Sequence, residues 1–109
     1  MSDITQITEA LVNFRNQRDW AQFHNSKDLA LAISVEAAEL LELFLWKDAG
    51  EAEKEKVKEE LADVFAFAFL MAERYGFDVR EIVMEKIASN NKKYPVDKAK
   101  GNARKYNEL

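Results

Sequence analysis

The only proline in this 109-residue chain is Pro95, and only three glycines accompany it. Nothing before position 95 forces a helix to break, and turn formers are too scarce for an all-β chain built from many short strands. Apolar residues recur at helical spacing from the start, with Ile4, Ile7, Leu11 and Phe14 three or four apart. The pattern predicts an all-α chain of four helices and a tail. The first helix spans about Asp3 to Arg18. The second spans about Lys27 to Trp46 and is capped by Ser26. The third runs from the acidic cap Asp48-Ala-Gly-Glu51 to about Tyr75 and stops at Gly76. The fourth is capped by Asp78 and reaches about Asn91. The segment Val64-Phe-Ala-Phe-Ala-Phe69 alternates like a strand, but it sits among helix formers without turn signals and reads as helix. The chain is expected to be a single domain, 1–109, with a helical core over about 3–91 and a basic irregular tail over about 92–109.

Composition narrows the chemistry. Hydrophobic residues make up 48% of the chain and charged residues 33%, enough apolar surface for a folded core. There is no cysteine and one histidine, which removes disulfide scaffolds, thiolate nucleophiles, iron–sulfur clusters and multi-histidine metal centres. The longest stretch nearly free of charge, Leu61 to Ala72, contains Asp63 and is too short to cross a bilayer. The beginning, MSDITQITEALV, lacks the basic start and apolar run of a signal peptide. A reducing cytoplasm is the expected compartment. Residues 1–85 hold 9 basic and 18 acidic side chains, and residues 86–109 hold 7 and 2. A solvated basic end is one reading of that split. The other is an anion site in which acids hold a metal and lysines meet phosphates. Net acidity argues against binding nucleic acid polymers.

Four carboxylates lie where apolar side chains would be expected. At 100° per residue, Glu36 falls within the stripe of Leu29, Leu40 and Leu43, with Glu39 on its shoulder. On the next helix Glu60 falls within the stripe of Val57, Val64, Phe67 and Met71, with Asp63 on its shoulder. Each helix therefore presents two acids at i and i+3 on an otherwise apolar face. Burying carboxylates is costly unless they are paired or bound to a cation. Helix two has no basic residue between Lys27 and Lys47, and helix three has none between Lys58 and Arg74. Salt bridges from elsewhere, Lys86 for example, are the structural alternative. A hard divalent ion, magnesium or manganese, suits four oxygen donors better. Di-iron bundles use similar acids but require Glu-x-x-His pairs that are absent here. Such a metal site suits nucleotide phosphates. No GxxxxGK[ST] loop is present, so lysines such as Lys86, Lys92 and Lys93 would neutralise the remaining phosphate charge.

Glu36-Ala-Ala-Glu39-Leu40 and Glu60-Leu-Ala-Asp63-Val64 resemble the paired ExxE and ExxD signatures of MazG-like nucleoside triphosphate pyrophosphohydrolases. The resemblance extends to the dCTP pyrophosphatase branch through Arg18-Asp-Trp-Ala-Gln-Phe-His24, Leu43-Phe-Leu-Trp46-Lys47, Lys86 and Asn90 leading to Lys93-Tyr94-Pro95, and Arg104-Lys105-Tyr106. It implies an all-α fold in which helical hairpins from different subunits assemble into a four-helix-bundle-type oligomer, commonly a tetramer. It also implies hydrolysis between the α and β phosphates of a dNTP, dCTP or a related pyrimidine. Glu36, Glu39, Glu60 and Asp63 would be the catalytic magnesium ligands, with manganese a substitute, and Glu39 would help orient or deprotonate the water. Trp20 and Trp46 would line the base pocket. His24, Lys86, Asn90, Lys93 and Tyr94 would complete the substrate site.

Other roles fit the same residue types. A tryptophan after a short loop serves packing, a lone histidine beside Phe23 serves as a hydrogen-bonded structural residue, Asn90 serves as a helix cap, and Tyr94 packs before proline. Phe65, Phe67 and Phe69 suit a core or a subunit interface. Vertebrate members carry a histidine in the first helix where this chain has Leu11, and the connection after Trp46 is shorter here. Base preference therefore stays open between dCTP, dUTP and a broad or damaged set of triphosphates. A non-enzymatic helical interaction module is the alternative from another class.

Overall fold

The computed structural model describes residues 2–109, and no strand occurs among them. Five helices follow in order: α1 (Asp3–Gln17), α2 (Ser26–Glu42), α3 (Lys54–Tyr75), α4 (Val79–Lys93) and the short α5 (Val96–Ala99). Single 3-10 turns occur at Ala21–Phe23, Ala49–Glu51 and Tyr106–Glu108. The segment Val64 to Phe69 is helical, as its surroundings predicted. Two compact units are distinguished, one ending at Gly76 and one from Phe77 to Leu109.

The first unit is a helical hairpin with a third helix against it. α2 packs along α3, and α1 leans on α3. The hairpin is antiparallel, because Arg74 near the end of α3 donates from Nε to the Ser26 hydroxyl at the start of α2, at 3.1 Å. Arg15 of α1 pairs with Glu73 of α3 at 3.3 Å. Only Leu29, Leu70 and Ala72 are fully buried among the described apolar residues. Much of the apolar surface of the hairpin stays open: Leu31 and Val35 on α2 and Leu61 and Phe65 on α3 are all exposed, with Phe65 stacked on Phe69 at 5.9 Å.

Three boundaries of α2 and α3 differ from the sequence expectation. The cap of α2 is Asn25, not Ser26. Its side-chain oxygen accepts from the Asp28 amide at 2.8 Å and its amide donates to the Asp28 carboxylate at 2.9 Å, so the acid three residues on completes the cap. α2 ends at Glu42 rather than Trp46. Beyond it the backbone tightens into i→i−3 bonds, Phe44 to Leu41 and Lys47 to Phe44 among them, and Trp46 takes a left-handed φ of +62°. α3 starts at Lys54, not at the Asp48 turn, because Ala52 and Glu53 are extended (ψ 137° and 121°) and separate that turn from the helix. Gly76 ends α3 as expected, at φ +70°, with its amide on the Ala72 and Glu73 carbonyls.

In the second unit the Asp78 side chain caps α4 by accepting from the Glu81 amide at 2.9 Å, as predicted. The tail is more ordered than the expectation of an irregular segment. α4 continues through Lys93, and Pro95 opens α5, where a missing amide hydrogen costs nothing at a first turn. The Tyr106 ring stands edge-on to Tyr94 at 6.3 Å, with the Lys93 ammonium 5.1 Å from it.

Candidate metal centre

The i, i+3 spacing on two antiparallel helices brings the predicted acids together across the hairpin. Glu36 of α2 and Glu60 and Asp63 of α3 each offer a carboxylate oxygen, all within 4.8 Å of one another. Glu39, one turn along α2, adjoins both Glu36 and Glu60. Glu36, Glu39 and Glu60 are half-buried, and Asp63 lies at the exposed edge.

The electrostatics are unfavourable without a cation. One oxygen of Glu36 (Oε2) and one of Glu60 (Oε2) are buried without any hydrogen-bond partner. The ion pairs among the described residues, Arg15–Glu73, Lys56–Glu53 and Lys58–Glu55, leave all four acids aside. Burial, then the adjoining Glu39, then Asp63 and Glu60, push the Glu36 carboxyl up to about 7. Burial and then Glu39 and Asp63 raise Glu60 as well, against a smaller opposing contribution from Glu36. Orphaned buried oxygens in an all-carboxylate cluster fit a hard divalent cation, which supplies the missing charge and takes oxygen ligands. Glu36, Glu60 and Asp63 could serve as ligands together, with Glu39 adjoining them.

The remaining predicted residues divide between the two units. Trp20 and His24 lie in the connection before α2. Trp20 is 44% exposed, its ring 5.7 Å from Phe14. His24 is half-buried, its Nδ1 has no partner, and its ring meets Phe67 edge-on at 6.2 Å, one helical turn beyond Asp63. Burial, and then the charge of Arg15, lower its pKa. Trp46 is fully exposed at the end of the α2 turn. Lys86, Asn90, Lys93 and Tyr94 all belong to the second unit, where the Asn90 carbonyl accepts from the Tyr94 amide at 2.8 Å. Phe14 and Arg18, which the sequence marked only as a helix position and as part of a motif, contact Trp20. Their i, i+4 spacing beside a tryptophan was the available signal.

The profile of the MazG-like family matches residues 31–109, a span that contains all four acids. The chain belongs to the MazG-like family. It is 38% identical to dCTP pyrophosphatase 1 of Homo sapiens over 114 residues, covering 97% of this chain and 67% of that protein. It is 36% identical to the Bos taurus dCTP pyrophosphatase 1 with the same coverage of this chain. A pyrophosphatase from Archaeoglobus fulgidus superposes with a TM-score of 0.81 at 33% identity, over 87% of this chain and 94% of that one. This MazG-like chain is thus an enzyme of the nucleotide pyrophosphatase type on an all-α fold. No described helix is long and apolar enough to cross a membrane.

Proposed function

We propose that the protein is a magnesium-dependent pyrophosphohydrolase of deoxynucleoside triphosphates, preferring dCTP or related pyrimidines and working in the cytoplasm to clear unwanted nucleotides. The observation that carries the reading is the pair of orphaned oxygens on Glu36 and Glu60, in a cluster that none of the ion pairs among the described residues involves. The names of the human, bovine and archaeal relatives supply the reaction class.

Glu36, Glu39, Glu60 and Asp63 would hold the ion, which would supply positive charge against the phosphates and acidify water at the site. Glu39, which adjoins both Glu36 and Glu60, would orient the attacking water and accept its proton. The water oxygen forms a new bond to phosphorus as the bridging P–O bond between the α and β phosphates breaks. The products are a nucleoside monophosphate and pyrophosphate. Trp20 and Trp46 offer exposed indoles for the base, and Lys86, Lys93, Asn90, Tyr94 and His24 contribute polar contacts to the substrate. The working form is a homo-oligomer, at least a dimer and in our reading a tetramer. The exposed faces of Leu31, Val35, Leu61 and Phe65 exceed what this small chain covers for itself.

The test is to incubate the protein and magnesium with each common dNTP and NTP and resolve the products by chromatography. Monophosphate and pyrophosphate from dCTP, absent without metal, support the proposal. Turnover of dUTP or of many triphosphates keeps the chemistry and moves the specificity. No turnover with magnesium or manganese overturns the enzyme reading in favour of an interaction module.

A further inference from the structure

The turn after α1 holds three side chains in one stack. Asp19 takes a left-handed φ of +54°, uncommon outside glycine, and reverses the chain so that the Trp20 amide donates to the Arg15 carbonyl at 3.0 Å. Gln22 clasps the turn, donating to the Asp19 carbonyl at 2.9 Å and to its carboxylate at 3.3 Å. The reversal sets the Trp20 indole edge-on to Phe14, with centroids 5.7 Å apart and planes at 73°. Arg18 folds back over the same ring. Its guanidinium carbon lies 3.7 Å from the Phe14 centroid and 5.9 Å from the Trp20 ring, and its Nη1 donates to the Phe14 carbonyl at 3.0 Å. His24, four residues after Trp20, anchors this segment on Phe67 of α3.

We infer that Arg18 is a positioning residue for base binding: stacked on Phe14, it fixes the plane of the Trp20 indole and leaves its open surface to stack on the nucleobase. A planar guanidinium packs on an aromatic face and donates along its edge at the same time, so Arg18 holds Phe14 by two contacts at once. Phe14 in turn holds the indole by a T-shaped ring contact. A half-exposed tryptophan without that support would sample several rotamers, and the cost of ordering it would fall on the binding step. The contacts of Arg18 are with Phe14 and Trp20 and not with the four acids, so its effect belongs in KM. The inference rests on the reading of Trp20 as the base contact.

A kinetic cycle with dCTP and magnesium tests it, using Arg18→Ala, Trp20→Ala and the double variant. Arg18→Ala is expected to raise KM by about two- to fivefold, the size of an exposed cation–π contact, with kcat nearly unchanged. Trp20→Ala raises KM at least as much, and the double variant is no worse than Trp20→Ala alone. Phe14→Leu, which keeps an apolar side chain but removes the ring, reproduces the Arg18→Ala effect and carries the test if Arg18→Ala folds poorly. Additive effects of Arg18→Ala and Trp20→Ala, or a fall in kcat with KM unchanged, overturn the positioning role and leave the base contact standing. An unchanged KM in Trp20→Ala, or no turnover of dCTP at all, removes the underlying reading and the inference with it.

Discussion

Glu36 of α2 and Glu60 of α3 face each other across the hairpin, each with one buried carboxylate oxygen that no described residue satisfies. The pair shows how the fold bears on function. An antiparallel hairpin that buries acids at the same level on both helices stores repulsion that a cation would relieve, so the same side chains bear on stability and pH response and, in the proposed reading, on activity.

Neutralising part of the cluster separates a metal site from a structural network. In Glu36→Gln, Glu39→Gln the activity is expected to fall by at least about 100-fold. The metal-free protein should keep its melting temperature or gain a few degrees, since two repelling charges are gone. Thermal unfolding in chelator, beside an activity assay, checks both halves. A large loss of apo stability would show that these acids are structural partners instead.

The raised Glu36 value defines a pH response of the metal-free protein. Its carboxyl titrates near 7 when folded and at 4.5 ordinarily. Between those values the folded state binds more protons than the unfolded state, so stability falls as pH rises through this window and levels off above about 7. Glu60, raised as well, acts with the same sign. Melting curves without metal should therefore show a lower midpoint at pH 8 than at pH 5.5.

Metal is expected to reverse that trend. Ligation requires the ionised carboxylates, so magnesium at the proposed site should bind more tightly as pH rises through 7 and release protons on binding below it. At a magnesium concentration of 100 times its dissociation constant the folded state gains about 2.7 kcal/mol. The stabilisation should vanish in Glu36→Gln, Glu39→Gln, which calorimetric titration and melting curves with and without magnesium can establish.

The Arg15–Glu73 pair fastens α1 to α3, and the Arg15 side chain is only 15% exposed. Arg15→Ala should cost about 1 kcal/mol, less than a buried pair would because Glu73 is partly in water. For a domain of this size that lowers the melting temperature by roughly 4–8 °C. Because this contact also fixes the C-terminal part of α1, the loss should raise KM modestly while leaving magnesium affinity intact.

Phe65 stands on the open face of α3, half exposed and stacked on Phe69. Phe65→Glu removes little from the interior of a single subunit but puts a charge into the proposed subunit contact. The variant is expected to elute at a smaller mass in size-exclusion chromatography with light scattering, at unchanged helix content. A variant that keeps the assembly of the parent chain would move the contact to another face.

The helices and the acids were legible in the sequence because both follow from local periodicity. A single proline, Gly76 with its left-handed stop and Asp78 with its cap act within a few residues of themselves. The i, i+3 acids on apolar stripes could be found from the helical repeat alone. The helix ends near Asn25, Glu42 and Lys54 were less legible. There the competition between caps, extended residues and a left-handed Trp46 is settled by backbone geometry that no spacing rule records. Only the tertiary structure decided that Glu36, Glu60 and Asp63 converge within 4.8 Å, that two of their oxygens go unsatisfied, and that Arg18 and Phe14 support Trp20. Those relationships join residues distant along the chain or turned back upon it. They depend on how helices pack and where a turn reverses, whereas the sequence pattern determines which face of each helix is available to meet.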